Sequence, residues 1–234
     1  MITDNEKMHP PHEFAREARQ LLRAHRYGAL CTLSKKFDGH PFGSITPFLV
    51  DHDGSLLILI SDLAEHTKNI NNDPRVSLIS HNQDDPHIQT QGRVTVVGTA
   101  SHETDRDSAG IRYLRYFPEA ETYFAMPDFS FYRILPRAIR YIGGFGNIHW
   151  VKAESYNIAD YPLIAQEQDF LAEINSKHEA AVRRHTAQID LKAELIGIDC
   201  DGFDIRVGEK TLRIQSDVPI LDAQQARLSL IQNP

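Results

Sequence analysis

The stretch that most constrains the fold is an apolar run at residues 56–60, which stops at a serine and is followed by a polar corner. Five consecutive apolar residues bounded by turn signals are typical of a buried strand, because a buried helix is usually longer. A short helix is predicted to begin near Glu65 and to end before Pro74. The strand end, the corner and the helix start therefore bring small polar side chains and free backbone N–H groups to one point.

Six segments before residue 150 combine β-branched and other apolar residues with flanking turn signals. They are residues 29–34, 43–50, 55–60, 75–80, 90–100 and 131–142. The Asp53-Gly54 pair predicts a tight hairpin, and Pro47 predicts an irregular strand because proline cannot donate a ladder hydrogen bond. Helical spacing predicts helices at residues 10–25, where three arginines lie between the apolar positions, and at 103–116. The pattern indicates a six-stranded antiparallel barrel with flanking helices.

The pattern of the chain changes beyond a candidate linker at residues 157–162. One long helix is predicted at residues 163–185, and Asp222 is predicted to cap a final helix. Three strands are predicted between these helices, at residues 191–200, 203–207 and 211–215, and glycine turns join them. The sequence therefore predicts two domains, a β-barrel at residues 1–157 and a small α+β unit of α-β-β-β-α order at residues 163–234.

Composition narrows the class of protein. The chain has 41% apolar and 24% charged residues, which is typical of a globular protein. Its net charge of -7 argues against a nucleic-acid partner, because a phosphate-backbone binder is usually basic.

No apolar run approaches the ~20 residues of a membrane helix, and the first residues lack the features of a secretory signal. We therefore expect a cytoplasmic protein with no membrane partner, whose cysteines, Cys31 and Cys200, are buried thiols.

The polar corner after residue 60 offers several groups that bind anions. Ser61 and Thr67 supply hydroxyls, His66 supplies an imidazole, and the helix start supplies backbone N–H groups. One interpretation is therefore a site for a phosphorylated or carboxylated ligand. The other is helix capping, in which Ser61 or Asp62 satisfies the free N–H groups of the first turn.

Four motifs in the barrel part carry a family resemblance. They are residues 41–48 (Pro-Phe-Gly-Ser-Ile-Thr-Pro-Phe), the corner at 61–69, the Asp-Pro-Arg at 73–75, and the glycine-rich end at 143–150 that closes with His-Trp. In this order they resemble the pyridoxamine 5′-phosphate oxidase-related, FMN-binding split-barrel proteins of the haem-utilisation (HugZ/HutZ) branch. The resemblance implies a homodimer of split barrels with ligand clefts between the subunits, and either haem or FMN as the cofactor.

The second domain resembles a small haem-utilisation-associated C-terminal domain. Its helix usually opens with a His-Met-Asn-x-Asp-His pattern, and the matching stretch here is residues 173–178. Asn175 and His178 match this pattern, whereas Glu173 and Lys177 depart from it. Histidines of this domain supply an iron ligand in some haem-degrading relatives, so the resemblance makes His178 the candidate ligand of a haem iron.

The candidate cofactor-binding residues are polar and aromatic side chains within these motifs. They are Ser44, Thr46, Ser61, His66, Thr67, Asn69, Arg75, His149, Trp150 and His178. Five arginines provide either clamps for haem propionates or ordinary surface and interface charge, namely Arg112, Arg115, Arg133, Arg137 and Arg140. Residues 41–48 contain neither the lysine nor the arginine that active pyridoxamine phosphate oxidases carry there, which argues against that reaction.

These observations lead to three functional hypotheses. The first is oxidative cleavage of haem with release of iron, as the haem-utilisation resemblance implies. The second is an FMN-dependent oxidoreductase of the same superfamily that uses the corner at Ser61. The third is a non-enzymatic binding or regulatory protein, because one fold serves many functions.

Overall fold

The computed structural model describes residues 11–82, 86–87, 89–144, 146–186 and 192–231. The predicted helix start at residue 10, the predicted strand start at 191 and both chain ends lie outside the described residues, as does residue 145 of the glycine-rich motif. None of the described helices is long and apolar enough to cross a membrane.

Eight strands form one antiparallel sheet within the described barrel part. They are β1 (Tyr27–Leu33), β2 (Pro41–Pro47), β3 (Leu49–Val50), β4 (Leu56–Ser61), β5 (Arg75–His81), β6 (Arg93–His102), β7 (Phe129–Ile142) and β8 (Ile148–Lys152). The α-helices around them are α1 (Pro11–Arg23), α2 (Glu65–Asn72), α3 (Arg106–Tyr116), α4 (Glu121–Phe124) and α5 (Ala153–Tyr156). The result is a curled half-barrel with flanking helices, consistent with a split barrel.

The prediction of six strands was wrong, because the sheet has eight. The predicted strand at 43–50 is interrupted at Phe48, directly after Pro47, although the Phe48 N–H still donates to the carbonyl of Arg26 at 2.9 Å. The expected irregularity at this proline is therefore confirmed, and it divides one strand into β2 and β3. The other additional strand is β8, which follows a glycine turn closed by the bond from Gly143 N–H to the carbonyl of Asn147.

Strand β7 organises the sheet because it is 14 residues long and borders three other strands. The strand order is β2-β1-β5-β6-β7-β4-β3. One edge of β7 pairs with β6, whereas the opposite edge is shared by β4 along the first half and β8 along the second. Side chains near residue 129 and side chains near residue 140 therefore lie at opposite ends of the same strand.

The C-terminal part contains a second sheet of three described strands. Its elements are α6 (Glu167–Lys177), α7 (Glu179–Arg184), β9 (Ala193–Asp199), β10 (Gly202–Val207), β11 (Lys210–Gln215) and α8 (Ala223–Ile231). The single long helix predicted at 163–185 was wrong, because the helix breaks at His178, which has non-helical backbone angles. The predicted cap is present, since Asp222 accepts a hydrogen bond from the Gln225 N–H at 2.7 Å.

Two separate apolar cores underlie the two sheets. The barrel core takes in one face of α1 through Ala15, Ala18 and Leu22, all fully buried against the strands. The C-terminal core lies between the three-stranded sheet and α6, α7 and α8. A third cluster combines residues of α3, β4 and β7 with Ile196 of β9, so apolar contacts also cross between the two parts.

Buried ion pairs fix α1 to the C-terminal part. Arg19 donates two hydrogen bonds to the Asp201 carboxylate, at 2.8 and 3.1 Å. Arg23 lies between Asp201 and Asp199, with its guanidinium 3.1 Å from the Asp199 carboxylate. Arg213 of β11 holds the other side of Asp199 through two hydrogen bonds of 2.7 and 2.8 Å. All five side chains are buried, so the parts are joined by charges that water does not screen.

Candidate functional site

The side chains of Ser61, Thr67 and Asn69 are hydrogen-bonded within their own chain. The start of α2 at Ala64 has no side-chain cap, so the helix cap expected from Ser61 or Asp62 was wrong. The Ser61 hydroxyl donates to the Asp128 carboxylate at 2.8 Å and accepts the Leu63 N–H at 3.1 Å. The buried Thr67 hydroxyl donates to the carbonyl of Ser61 at 2.7 Å. Buried Asn69 donates to the Thr32 hydroxyl at 3.0 Å and accepts the N–H of residue 35 at 2.9 Å. The side chains of Ser61, Thr67 and Asn69, which were predicted to face a ligand, therefore bond to their own chain instead.

The charges at this corner do not favour an anion. Partial burial lowers the pKa of His66, so its imidazole is neutral near pH 7. Arg75 is exposed and forms an ion pair with Asp73, with a shortest distance of 2.5 Å. The Asp128 carboxylate at Ser61 would repel a dianion. The contacts fit the interpretation of a structural corner, and they do not fit an FMN phosphate held by these residues.

The two candidate hydroxyls of β2 lie on the inner face of the sheet. Ser44 pairs with buried Leu30, and Thr46 is itself buried and bonds to the neighbouring carbonyl of Pro47 at 3.2 Å. The Ser44 hydroxyl is buried and has no hydrogen-bond partner within the described residues. Because α2 packs on β1 and β2, the structure does bring these hydroxyls and the corner to the same side of the sheet.

His149 and Trp150 lie on opposite faces of β8, because successive strand residues alternate. The His149 ring stacks on Phe14 of α1 with ring centres 3.6 Å apart, and its Nε2 is 2.7 Å from the Asn147 side-chain oxygen. Trp150 points to the outer face and is 63% exposed, with the Arg140 guanidinium 5.1 Å from its ring centre. One flat ligand therefore cannot stack on both rings within a single chain.

The five candidate arginines separate into two groups. Arg112, Arg115 and Arg133 form ion pairs with Glu167, Asp51 and Glu103, as expected of interface charge. Arg137 and Arg140 have no carboxylate partner within the described residues. Both lie on the second half of β7, beside β8. Two of the five arginines therefore remain available to an anionic ligand.

The ion-paired arginines line a cavity of about 430 Å³ between the barrel and the C-terminal part. Burial alone would raise the pKa of Glu167, but the charge of Arg112 and a hydrogen bond from His52 outweigh burial and lower it to about 2. Glu167 is thus ionised and paired at neutral pH. Sequence reasoning missed this junction because its charges come from segments more than 50 residues apart, as with Arg112 and Glu167.

His178 lies at the break between α6 and α7 and is partly exposed. Its backbone N–H donates to the carbonyl of Ile174 at 2.8 Å, and its carbonyl accepts the Ala181 N–H at 2.8 Å. Its imidazole has no hydrogen-bond partner within the described residues. The ring is therefore free to bind an external group.

The described residues contain one buried group of potential metal ligands, formed by Asp199, Cys200 and Asp201. Their ligand atoms lie within 4.8 Å of one another. The two carboxylates are already neutralised by Arg19, Arg23 and Arg213, as described above. This chemistry is that of a buried ion-pair network, because a bound cation would face the guanidinium groups.

The predicted site residues do not converge within one chain. Ser61 pairs with Phe129 at the start of β7, whereas Trp150 pairs with Arg140 near its end. A strand rises about 3.3 Å per residue, so residues 129 and 140 are separated by roughly 35 Å along the strand. The corner and the exposed tryptophan are therefore two separate surfaces in the protomer.

The protein is a curled antiparallel half-barrel with a small second domain, and α1 fixes that domain to the barrel. This fold places it in the class of split-barrel proteins. The family model described as "CREG, beta-barrel" matches residues 9–157, more than half of the chain. The chain therefore belongs to the CREG β-barrel family.

Individual relatives extend this likeness beyond the barrel. The chain is 33% identical over 202 residues to the noncanonical heme oxygenase HOZ of Arabidopsis thaliana, a chloroplastic protein. The match covers 81% of this chain and 62% of that relative, so the chain spans less than two thirds of the plant protein.

Two solved structures are similar over nearly the whole chain. A protein of unknown function from Agrobacterium tumefaciens, 23% identical, has a TM-score of 0.78 and covers 97% of this chain and 98% of its own. A heme binding protein from Mycobacterium smegmatis, 26% identical, has a TM-score of 0.57 with coverages of 94% and 95%. The first shows the fold, and the second is a relative that also spans both parts of the chain.

Proposed function

We propose that the protein binds haem and cleaves it oxidatively, releasing the iron. The observation that carries this proposal is the likeness to two haem proteins, one of which covers 94% of this chain, including its C-terminal part. Haem is the substrate, and its oxidation consumes dioxygen and electrons from an external reductant. The protein's part is to orient the macrocycle and to supply the axial ligand.

The available side chains of this chain fit haem better than they fit FMN. Haem is flat and carries two carboxylates, which suits the exposed Trp150 and the unpaired Arg137 and Arg140. We assign His178 as the ligand of the iron, because its imidazole is free and only one good axial ligand is needed. The remaining candidates at the corner support the fold of α2 through the hydrogen bonds described above.

The proposal includes a homodimer with the ligand cleft between the subunits. A row of side chains crosses the outer face of six neighbouring strands without cover from the described helices. In spatial order the row is Ile45, Ala29, Ile79, Thr95, Arg140 and Trp150. Ile45 and Trp150 at its ends are 69% and 63% exposed. A second copy is the occupant that the proposal assigns to this face.

Sedimentation equilibrium checks the homodimer directly. The wild-type protein is expected to have twice the chain mass at micromolar concentration. Ile45→Asp should shift it toward the monomer, because the charge would replace an exposed apolar side chain that the second copy covers. Asp38→Asn, which alters an exposed turn residue next to the same strand, is the control. A monomeric wild type would refute the dimer.

Titration with hemin tests the axial ligand. The wild type is expected to shift the Soret band at stoichiometric hemin, and His178→Ala should weaken binding about 10–100-fold because the iron loses its protein ligand. His102→Ala is a matched control, since His102 is an exposed histidine at the end of β6 and far along β7 from Trp150. If the wild type and His178→Ala bound hemin with equal affinity, His178 would not be the ligand of the iron.

The alternatives give different results in the same preparation. A yellow protein that releases free flavin on boiling would favour the FMN-dependent oxidoreductase. Failure to bind hemin or FMN, together with a co-purifying protein, would favour a non-enzymatic binding role. A cytoplasmic location remains a prediction, and fractionation of the source cells measures it.

A further inference from the structure

We propose that Arg137, Arg140 and Lys152 clamp the carboxylates of the ligand while Trp150 supports its flat ring. These four residues are called the β7–β8 platform below. The inference rests on the proposed function, because it names the part of the haem that this surface recognises. It selects Arg137 and Arg140 from the five arginines that the sequence offered as clamps for haem propionates, and it adds Lys152 as a third cation on the same face.

A β-bulge in β7 places the two arginines on one face. Residues three apart in a regular strand point to opposite faces. Here Val97 of β6 pairs with Ala138 and Gly98 pairs with Pro136, so Arg137 is the extra, unpaired residue. Pro136 and Ile139 are buried, and the two residues between them, Arg137 and Ala138, both point outward. The bulge therefore brings Arg137 to the same side of the strand as Arg140.

Strand β8 completes the platform from the neighbouring edge. Trp150 pairs with Arg140, and Lys152 pairs with Ala138. Both β8 side chains are exposed, whereas Val151 between them is buried, so they share the outer face with the arginines. The small Ala138 side chain leaves space between the cations. A groove of about 810 Å³, within the usual range for ligand sites, is lined by Arg137, Trp150 and Lys152, and Arg140 adjoins it through its contact with the Trp150 ring.

The charges of the platform are not neutralised by its own chain. Arg137, Arg140 and Lys152 form no salt bridge with another described residue, in contrast to the three ion-paired arginines at the domain junction. Glu154 also lines the groove and is the acidic residue among the lining residues described. Three cations against one carboxylate leave a local excess of positive charge on a chain whose net charge is -7. This contrast favours an anionic ligand.

The arrangement selects a flat ligand that carries carboxylates. The Arg140 guanidinium lies over one face of the Trp150 ring, 5.1 Å from its centre, and forms no hydrogen bond with another described residue, so the opposite face of the 63% exposed indole is the one available for stacking. Guanidinium groups bind carboxylates through two parallel hydrogen bonds, and an indole face binds an aromatic macrocycle by stacking. A spherical inorganic anion would use only the charges and would leave the exposed tryptophan without a role.

The test compares hemin with hemin dimethyl ester, in which both carboxylates are esterified, using the full chain and matched cosolvent. The wild type is expected to bind hemin at least about 100-fold more tightly than the ester, because the ester lacks both carboxylates that the two arginines hold. The Arg137→Gln/Arg140→Gln double variant should weaken hemin binding about 100-fold, about tenfold per arginine, and leave ester binding within about twofold. The readout is the dissociation constant from the Soret titration, independent of turnover.

A matched control keeps the charge change constant. Arg183→Gln/Arg184→Gln also removes two positive charges, from α7, where Arg183 pairs with Glu179, and should leave hemin affinity unchanged within about twofold. Unchanged hemin affinity in the double variant would overturn the platform and leave haem binding standing. Equal losses for hemin and the ester would also overturn it, because the arginines would then not act through carboxylates. Absence of wild-type binding to either porphyrin would instead refute the proposed function.

Discussion

Asp201→Ala is expected to lower the free energy of unfolding by about 3–5 kcal/mol, because it leaves buried arginines without their carboxylate. Asp201 is 1% exposed and accepts hydrogen bonds from both Arg19 and Arg23. In the variant Asp199 would be the remaining carboxylate beside Arg23, and Arg19 would lose both of its hydrogen bonds to a carboxylate, while Arg213 would keep Asp199 and Asp204. Urea unfolding at one fixed protein concentration measures the change.

The control for this prediction is an exposed ion pair. Glu179→Gln removes the partner of Arg183 four residues further along α7, where both side chains are more than 40% exposed. Exposed pairs of this kind contribute about 0.5 kcal/mol or less. If Asp201→Ala cost no more than this control, the network between α1 and the C-terminal part would be solvated rather than buried.

Gly197→Ala is expected to cost about 3 kcal/mol or more, because a tyrosine from the barrel part occupies the space of the missing side chain. A β-carbon at Gly197 would lie 1.7 Å from the Tyr116 hydroxyl oxygen and 2.7 Å from Cζ. Tyr116 is buried and donates to the Asp204 carboxylate at 2.9 Å. Its displacement would add the cost of overpacking to the loss of a buried hydrogen bond.

A double-mutant cycle separates the clash from other effects. Tyr116→Phe in the Gly197→Ala background removes the oxygen but leaves Cζ within 3 Å, so partial recovery of stability is expected. Gly43→Ala is the control glycine substitution, since a β-carbon there would meet nothing within 4 Å. Fully additive losses in the cycle would show that Tyr116 does not cover Gly197.

Local sequence patterns predicted most elements of this fold, and the misses have identifiable causes. The hairpin at Asp53-Gly54, the irregularity at Pro47 and the cap at Asp222 were predictable because each depends on a few adjacent residues. The helix break at His178 was missed because residues 163–185 lack a proline or glycine that would end a helix. Strand β8 was missed because it has five residues and follows a glycine-rich turn.

The candidate site was harder to predict because hydrogen-bond partners are not visible in sequence. The hydroxyl of Ser61 suggested an anion site, yet its donor is directed to Asp128, 67 residues away. The arginines of β7 looked equivalent in sequence, and only the bulge at Arg137 and the partners of Arg133 distinguish them. Tertiary contacts of this kind decide whether a polar side chain is available to a ligand.

The contact between α1 and the C-terminal part also sets an order for folding during synthesis. Arg19 and Asp201 are 182 residues apart. At roughly 5–20 residues per second, the ribosome needs about 10–40 s to produce the second partner after the first. Once the last barrel strand has been made, the barrel can bury the apolar face of α1, while the arginines on its other face remain hydrated until the C-terminal part follows. Docking of the C-terminal part is therefore a late step, and a chain that stops before residue 199 presents an unneutralised row of arginines to its surroundings.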